Sequence, residues 1–422
     1  MDDALNAYAV ILSRDRSIEK GQRSIRASDP HHPRKESGCM SPAIDPLLTP
    51  FALGPLHLRN RFVMAPMTRN CCPGGVPGAD VAAYYRRRAE ADVGLVVTEG
   101  VGIDHPNAIG AGSMGEHDVP VMHGDAALAG WRAVINGVHE AGGKIMPQLW
   151  HMGPIRLSGT GPSPESLSAR PSGLWGPTDK AILPPAYMDQ VRAPTAAMSD
   201  SDIGDIVAAY ARSAANAYAV GFDGVAIHGA HGYLIDSFLW PLTNRRDDAW
   251  GGTITRRSAF AVAAVRAIRA ATAPDFPIIF RFSQWKLQDY AARNVSSPLE
   301  LAAMLGPISD AGVDMFDAST RIFSTPAFAG SDRTLAGWAR EVTGKPVMAV
   351  GGIGLSRDLQ SSFSAETRVV NNLAAVVERF DRGEFDLVAV GRALLMDPQW
   401  VRKMRTGEEP APFRLEAYSS LI

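Results

Sequence analysis

From residue 61 onward, short apolar runs rich in Val and Ile alternate with longer segments whose apolar residues recur at helical spacing. The alternation predicts repeated strand–helix units around a parallel sheet. Eight runs read as strands: RFVMAPMT (61–68), GLVVTEGV (94–101), KIMPQLW (144–150), GVAIHG (224–229), PIIFRFS (277–283), MFDAST (315–320), PVMAVGG (346–352) and LVAVGR (387–392). Helices are predicted between them, among them 79–91, 124–141 and 199–220. The last opens on Ser199 and Asp200 as caps, and Gly142–Gly143 and Gly221 stop two of the three. Eight strands each followed by a helix give an α/β fold, a (β/α)8 barrel in one domain, with functional groups at the C-terminal ends of the strands.

Two stretches break the rhythm. Residues 151–198, dense in Pro, Gly and Ser, are too long for an ordinary connection and are expected to form a lid or a small hairpin over the barrel mouth after strand 3. SSFSAETRVVNN (361–372) is expected to interrupt the seventh helix. Residues 1–43 differ in texture, with scattered basic residues and the breaker-rich SDPHHPRKESG, and are expected to be a poorly ordered extension. Met40 directly precedes the compact pattern and is the expected natural start, with a transit peptide as the alternative. The barrel is expected over 44–407, with 408–422 as a C-terminal tail.

Composition adds mainly exclusions. A formal charge of -2 and 20% charged residues carry no footprint for nucleic acid or a membrane surface. No run of about 18 apolar residues is present to span a bilayer. Of three cysteines, Cys71 and Cys72 are adjacent and Cys39 lies in the polar extension, so no disulfide framework is expected. The expected setting is cytoplasmic and the expected partner a small molecule; a homo-oligomer is left open.

Candidate chemistry gathers at strand ends. GVAIHGAHGYLIDSFL carries His228, His231 and Tyr233 at the end of the fourth strand, three side chains able to donate protons. Two imidazole N–H groups on one oxygen would polarise a carbonyl as an oxyanion hole does, and the phenol could supply a proton. An H-x-x-H zinc site completed by His151, serving a hydrolase, is the alternative from another class. Gln148 and Trp150 end the third strand, and Arg281 sits inside the fifth, where a charge is costly unless paired. An arginine and an amide at a barrel mouth suit a planar, electron-rich ligand such as a flavin ring. VGGIG (350–354) and VGR (390–392) supply Gly351, Gly352, Gly391 and Arg392 after strands 7 and 8, where barrels bind phosphate. GAGSMG (110–115) has the letters of a dinucleotide fingerprint but no helix after it, and is set aside.

From about residue 44 to about 407 these segments together resemble the old yellow enzyme family of FMN-dependent ene-reductases. LLTPFALGPLHLRNRFVMAPMTRN looks like that family's first strand, so Pro66, Met67 and Thr68 take flavin-contacting positions. VTEGV brings Gly100 to a backbone contact, and QLWH brings Gln148 to the flavin and Trp150 beside the substrate. HGAHGYLIDSFLWPLTNRRDDAWGG resembles the family signature, with His228 and His231 at the carbonyl-binding positions and Tyr233 at the proton-donor position. Arg281 falls beside the flavin's N1 and C2 carbonyl, and Gly351, Gly352, Gly391 and Arg392 at the phosphate loops.

The resemblance implies bound FMN, a visiting NADPH or NADH, and ping-pong reduction of the activated C=C bond of an α,β-unsaturated carbonyl or nitro compound. Two departures stand out: Trp250 in DDAWGG where relatives often have tyrosine, and Thr68 where some have cysteine. Three cysteines would not support the iron–sulfur segment of larger relatives. An FMN-barrel oxidase of 2-hydroxy acids is the nearest alternative within flavoenzymes.

Overall fold

Each of the eight apolar runs forms a strand, and parallel pairing in the order β8-β1-β2-β3-β4-β5-β6-β7 closes them into a barrel. The strands are β1 Phe62–Met64, β2 Leu95–Gly102, β3 Lys144–Trp150, β4 Val225–His231, β5 Ile278–Lys286, β6 Met315–Ser319, β7 Val347–Val350 and β8 Leu387–Val390. The computed structural model describes residues 44–422 apart from Lys180, Ile182 and Ala365. The 1–43 extension, with Met40 and Cys39, lies outside the described residues.

Side chains alternate across a strand, so period two sorts each run onto two faces. Val63, Leu95, Met146, Ala226, Ile279 and Met315 fill the interior. Phe62, Val96, Ile145, Ile227, Phe280 and Phe316 face the surrounding helices. Both faces are buried, which is why the runs read as continuously apolar. A hairpin of Phe51–Leu53 and Leu56–Leu58 precedes β1 and inserts Leu56 and Leu58 into the interior cluster, plugging the N-terminal end of the barrel.

The helices Ala79–Glu90, Asp125–Glu140 and Asp200–Val220 form where expected. The last begins with a capping box between Ser199 and Asp202 and ends at Gly221, whose φ of 99° no other residue adopts easily.

Of the lid or small hairpin expected for 151–198, the hairpin is absent among the described residues. The segment holds a 3-10 turn at Gly153–Ile155 and a helix at Pro185–Val191. Two buried arginines satisfy its backbone instead of a ladder. Arg156 donates to the carbonyls of Ile109, Thr160, Ser163 and Ser166, and Arg170 to those of Gly173 and Ala193. The 361–372 stretch also differs: it precedes the helix Leu373–Asp381 rather than interrupting one. A short helix, Ser361–Ser364, and a bridge between Leu355 and Val369 organise it.

Residues 415–419 form a 3-10 turn with Ala417 buried, and Arg69, just past β1, donates to the carbonyls of Ala417, Tyr418 and Ser420 at 2.9–3.1 Å. Among the described residues no helix is long and apolar enough to cross a membrane.

Candidate active site

The alternation that fills the interior also writes the site. Two residues beyond the inward-facing Met146, Ala226, Ile279 and Met315 stand Gln148, His228, Arg281 and Asp317, so the next layer up is polar. His228 pairs in register with Arg281, Arg281 with Asp317, and Gly100 with Gln148. This layer lies at the C-terminal mouth, where barrel enzymes work.

Within it Gln148 Nε2 and Arg281 Nε are buried donors that make no hydrogen bond to the protein, and Arg281 Nη1 has an ion-pair contact but no hydrogen bond. Arg281 contacts Asp317 at 3.3 Å, a partner the sequence reading did not foresee, and its Nη2 donates to Ser319 Oγ at 3.1 Å. Uncommitted buried donors are costly unless a ligand accepts from them.

His228 and His231 stand perpendicular with ring centres 5.0 Å apart, and Tyr233 lies 4.8 Å from His228. Trp150 stacks along His228 and meets Tyr233 edge-on at 4.9 Å. Burial, with Arg281 adding to it, holds both imidazoles well below the ordinary histidine range, so both are neutral near pH 7. Each neutral ring carries one hydrogen. The Ala230 amide donates to His228 Nδ1 at 3.4 Å, leaving the hydrogen on Nε2. His231 Nε2 lies 2.7 Å from Ser319 Oγ, which also accepts from Arg281 Nη2; with one hydrogen and a second lone pair, that hydroxyl can pair with either tautomer of the ring.

The turn carrying these groups is clamped from below. His231 has φ 66°, and the next residue, Gly232, has φ 85° and no room for a side chain: a Cβ would lie 1.9 Å from Gln288 Oε1. Asp236 accepts from the Gly232 amide at 2.7 Å, from Asn294 at 2.8 Å and from Lys286 Nζ, with both ions of the Lys286–Asp236 pair fully buried. The 151–198 segment packs on the same turn, Gln288 Nε2 bridging the carbonyls of Trp175 and Gly232.

The phosphate-loop candidates gather at the ends of β7 and β8. A Cβ on Gly351, whose φ is 141°, would lie 2.4 Å from the Thr320 carbonyl, so only glycine fits. Met67 comes beside Gly391 where β8 closes against β1, bringing Pro66, Met67 and Thr68 to the same rim. The Arg392 guanidinium donates to the carbonyls of Arg357 and Asp358. The unpaired donors of Gln148 and Arg281 and the glycine-lined ends of β7 and β8 suit a flavin mononucleotide: ring at the mouth, phosphate at the last two loops. His151 does not join His228 and His231, being tied to Asn107 and the Gly153 amide. Among the described residues no group of three or more His, Cys, Asp or Glu is placed to hold a metal.

Several residues of this site were not foreseen. Ser319, Asp317, Lys286, Asp236 and Glu116 all lie within it, Glu116 Oε1 standing at hydrogen-bond distance, 3.3 Å, from the Tyr233 hydroxyl oxygen. A signal existed for Asp236, a lone charge inside the apolar LIDSFL, and for Lys286, which closes a strand longer than its apolar run. None existed for Glu116.

Residues 46–410 match the model of the NADH:flavin oxidoreductase / NADH oxidase family. An NADH oxidase of Thermoanaerobacter brockii is 30% identical over 85% of this chain, which spans 50% of that protein's length. 12-Oxophytodienoate reductase 7 of Oryza sativa subsp. japonica is 29% identical, over 85% of this chain and 88% of that one. The solved structure of morphinone reductase in complex with tetrahydroNAD superposes with a TM-score of 0.70 at 26% identity, covering 88% of this chain and 93% of the other.

Proposed function

The chain belongs to the NADH:flavin oxidoreductase / NADH oxidase family, that of the old yellow enzymes and their FMN cofactor, and we propose that it reduces the C=C bond of α,β-unsaturated carbonyl or nitro compounds at the expense of NADPH or NADH. The observation that carries the reading is the buried trio of His228, His231 and Tyr233 beside the uncommitted donors of Arg281 and Gln148. Similarity to proteins named 12-oxophytodienoate reductase and morphinone reductase supports the same class.

When bound, the flavin supplies hydride transfer from nicotinamide to alkene. The protein's own groups do the rest. Gln148 and Arg281 would hold the ring, and the guanidinium would offset negative charge beside it. His228 Nε2–H and a ring N–H of His231 hydrogen-bond the substrate oxygen and draw electron density toward it, which leaves the β-carbon electron-poor. Because both rings are neutral, they act as hydrogen-bond donors and keep their protons. Tyr233, whose hydroxyl burial holds well above the ordinary tyrosine range, gives its proton to the α-carbon. Trp150 closes the side of the pocket against water.

Anaerobic half-reactions with cyclic enones test this. His228→Ala and His231→Ala should each slow the oxidative half-reaction by roughly 10²–10³-fold, the usual cost of removing one such donor, with FMN content and reduction by nicotinamide unchanged. Full enone turnover in either variant would refute the carbonyl role. Tyr233→Phe should impair the same half-reaction and spare the other. An air-saturated control separates alkene reduction from direct discharge to oxygen.

A further inference from the structure

Tyr233 must recover its proton after every turnover, and the group placed to return it comes from a different element. Glu116 lies in the loop after β2, only 4% exposed, and its Oε1 is the hydrogen-bond partner of the Tyr233 hydroxyl. Its Oε2 accepts from the Met114 amide at 2.9 Å, so the carboxyl is held in place. The ionisable groups facing it are two phenols, Tyr233 from the turn after β4 and Tyr187 from the helix Pro185–Val191; no cation among the described residues compensates a charge there. Gly112 and Met152 close its other side.

We propose that Glu116 is the proton reservoir of Tyr233: its protonated carboxyl donates to the phenol oxygen, turns the phenol hydrogen toward the substrate, and re-protonates the phenolate after transfer. The proposal rests on Tyr233 being the proton donor. The balance is simple. The Tyr233 O–H bond breaks as its proton joins the substrate α-carbon, and the electron pair stays on the phenolate oxygen. The Glu116 O–H bond then breaks as its proton moves to that oxygen, and the carboxylate takes a proton from water. One solvent proton is consumed for each hydride delivered by the nicotinamide.

Ionised Glu116 does the opposite. A carboxylate only accepts, so the phenol hydrogen turns toward Glu116 and away from the substrate. Burial raises this carboxyl above the ordinary range, which keeps the competent form populated at higher pH than an exposed glutamate would. Glu116 acts through Tyr233 and is thus a positioning residue.

The test uses pre-reduced holoenzyme mixed with a cyclic enone over a range of pH. Wild type should lose single-turnover rate as pH rises through the Glu116 titration, with a one-proton slope. Glu116→Gln keeps a permanent N–H toward the phenol, so it should flatten that limb and slow steady-state turnover by on the order of tenfold, because the phenolate regains its proton slowly. Glu116→Asp should keep the limb at lower rate. In infrared difference spectra, a protonated-carboxyl band should titrate with the rate in wild type and be missing from Glu116→Gln. An unchanged pH profile in Glu116→Gln, or absence of that band from wild type at pH values where it turns over, overturns the proposal. If instead Tyr233→Phe leaves the oxidative half-reaction intact, the proton-donor reading fails first and takes this one with it.

Discussion

At the scale of single residues, the buried Lys286–Asp236 pair is the most consequential contact outside the reacting groups. Lys286→Met would leave Asp236 charged, fully enclosed and short of one donor, at an expected cost of about 3–5 kcal/mol in urea denaturation. Replacing both partners with apolar residues of similar volume should recover most of that stability but release the Gly232 amide, so a fold that survives with slowed enone reduction is the expected outcome. The same contrast explains what the sequence disclosed. His228, Gln148 and Arg281 were legible because each is a polar residue inside an apolar strand run, where alternation dictates the direction it faces. Their partners were not, because the bonds of Tyr233 to Glu116, His231 to Ser319 and Lys286 to Asp236 span 117, 88 and 50 residues. No local pattern encodes such separations.

At the scale of elements, strands with both faces buried were readable to within a few residues, and β3 matches its apolar run from Lys144 to Trp150. Irregular segments were not. In 151–198 the backbone is organised by Arg156 and Arg170 reaching across the loop, a device invisible to turn chemistry. The loop after β7 offers a sharper test. Gly351→Ala would press a methyl group against the Thr320 carbonyl in a backbone region that L-residues avoid, costing on the order of 1–3 kcal/mol locally. The expected result is weaker FMN retention, measured by the fluorescence of released flavin, with the far-ultraviolet circular dichroism of the barrel unchanged.

At the scale of the whole molecule, burial opposes charge in both directions. His151, His228 and His231 are all held well below the ordinary value of 6.5, burial being the first cause in each. Above that pH both folded and unfolded chains are neutral at these sites; below it only the unfolded chain gains protons, so stability falls with pH. Thermal midpoints should therefore drop from pH 7 toward pH 5, and less steeply in a His151→Gln variant. Glu99 runs the other way. Burial raises it from 4.5 to about 7, so its contribution is complete below 4.5 and lost as pH climbs to 7. Glu99→Gln should accordingly be more stable than wild type above pH 7, by on the order of 3 kcal/mol, and similar to it near pH 4.5.

Among the described residues, Leu56 and Leu58 of the N-terminal hairpin seal one end of a cylinder already filled by side chains, so the polar layer is approached from the C-terminal mouth. On the proposed function, reductant and oxidant would queue for that opening, neither being held while the other reacts. High concentrations of an enone should starve the enzyme of nicotinamide, with double-reciprocal plots parallel at low enone and curving upward as the crowd at the door grows.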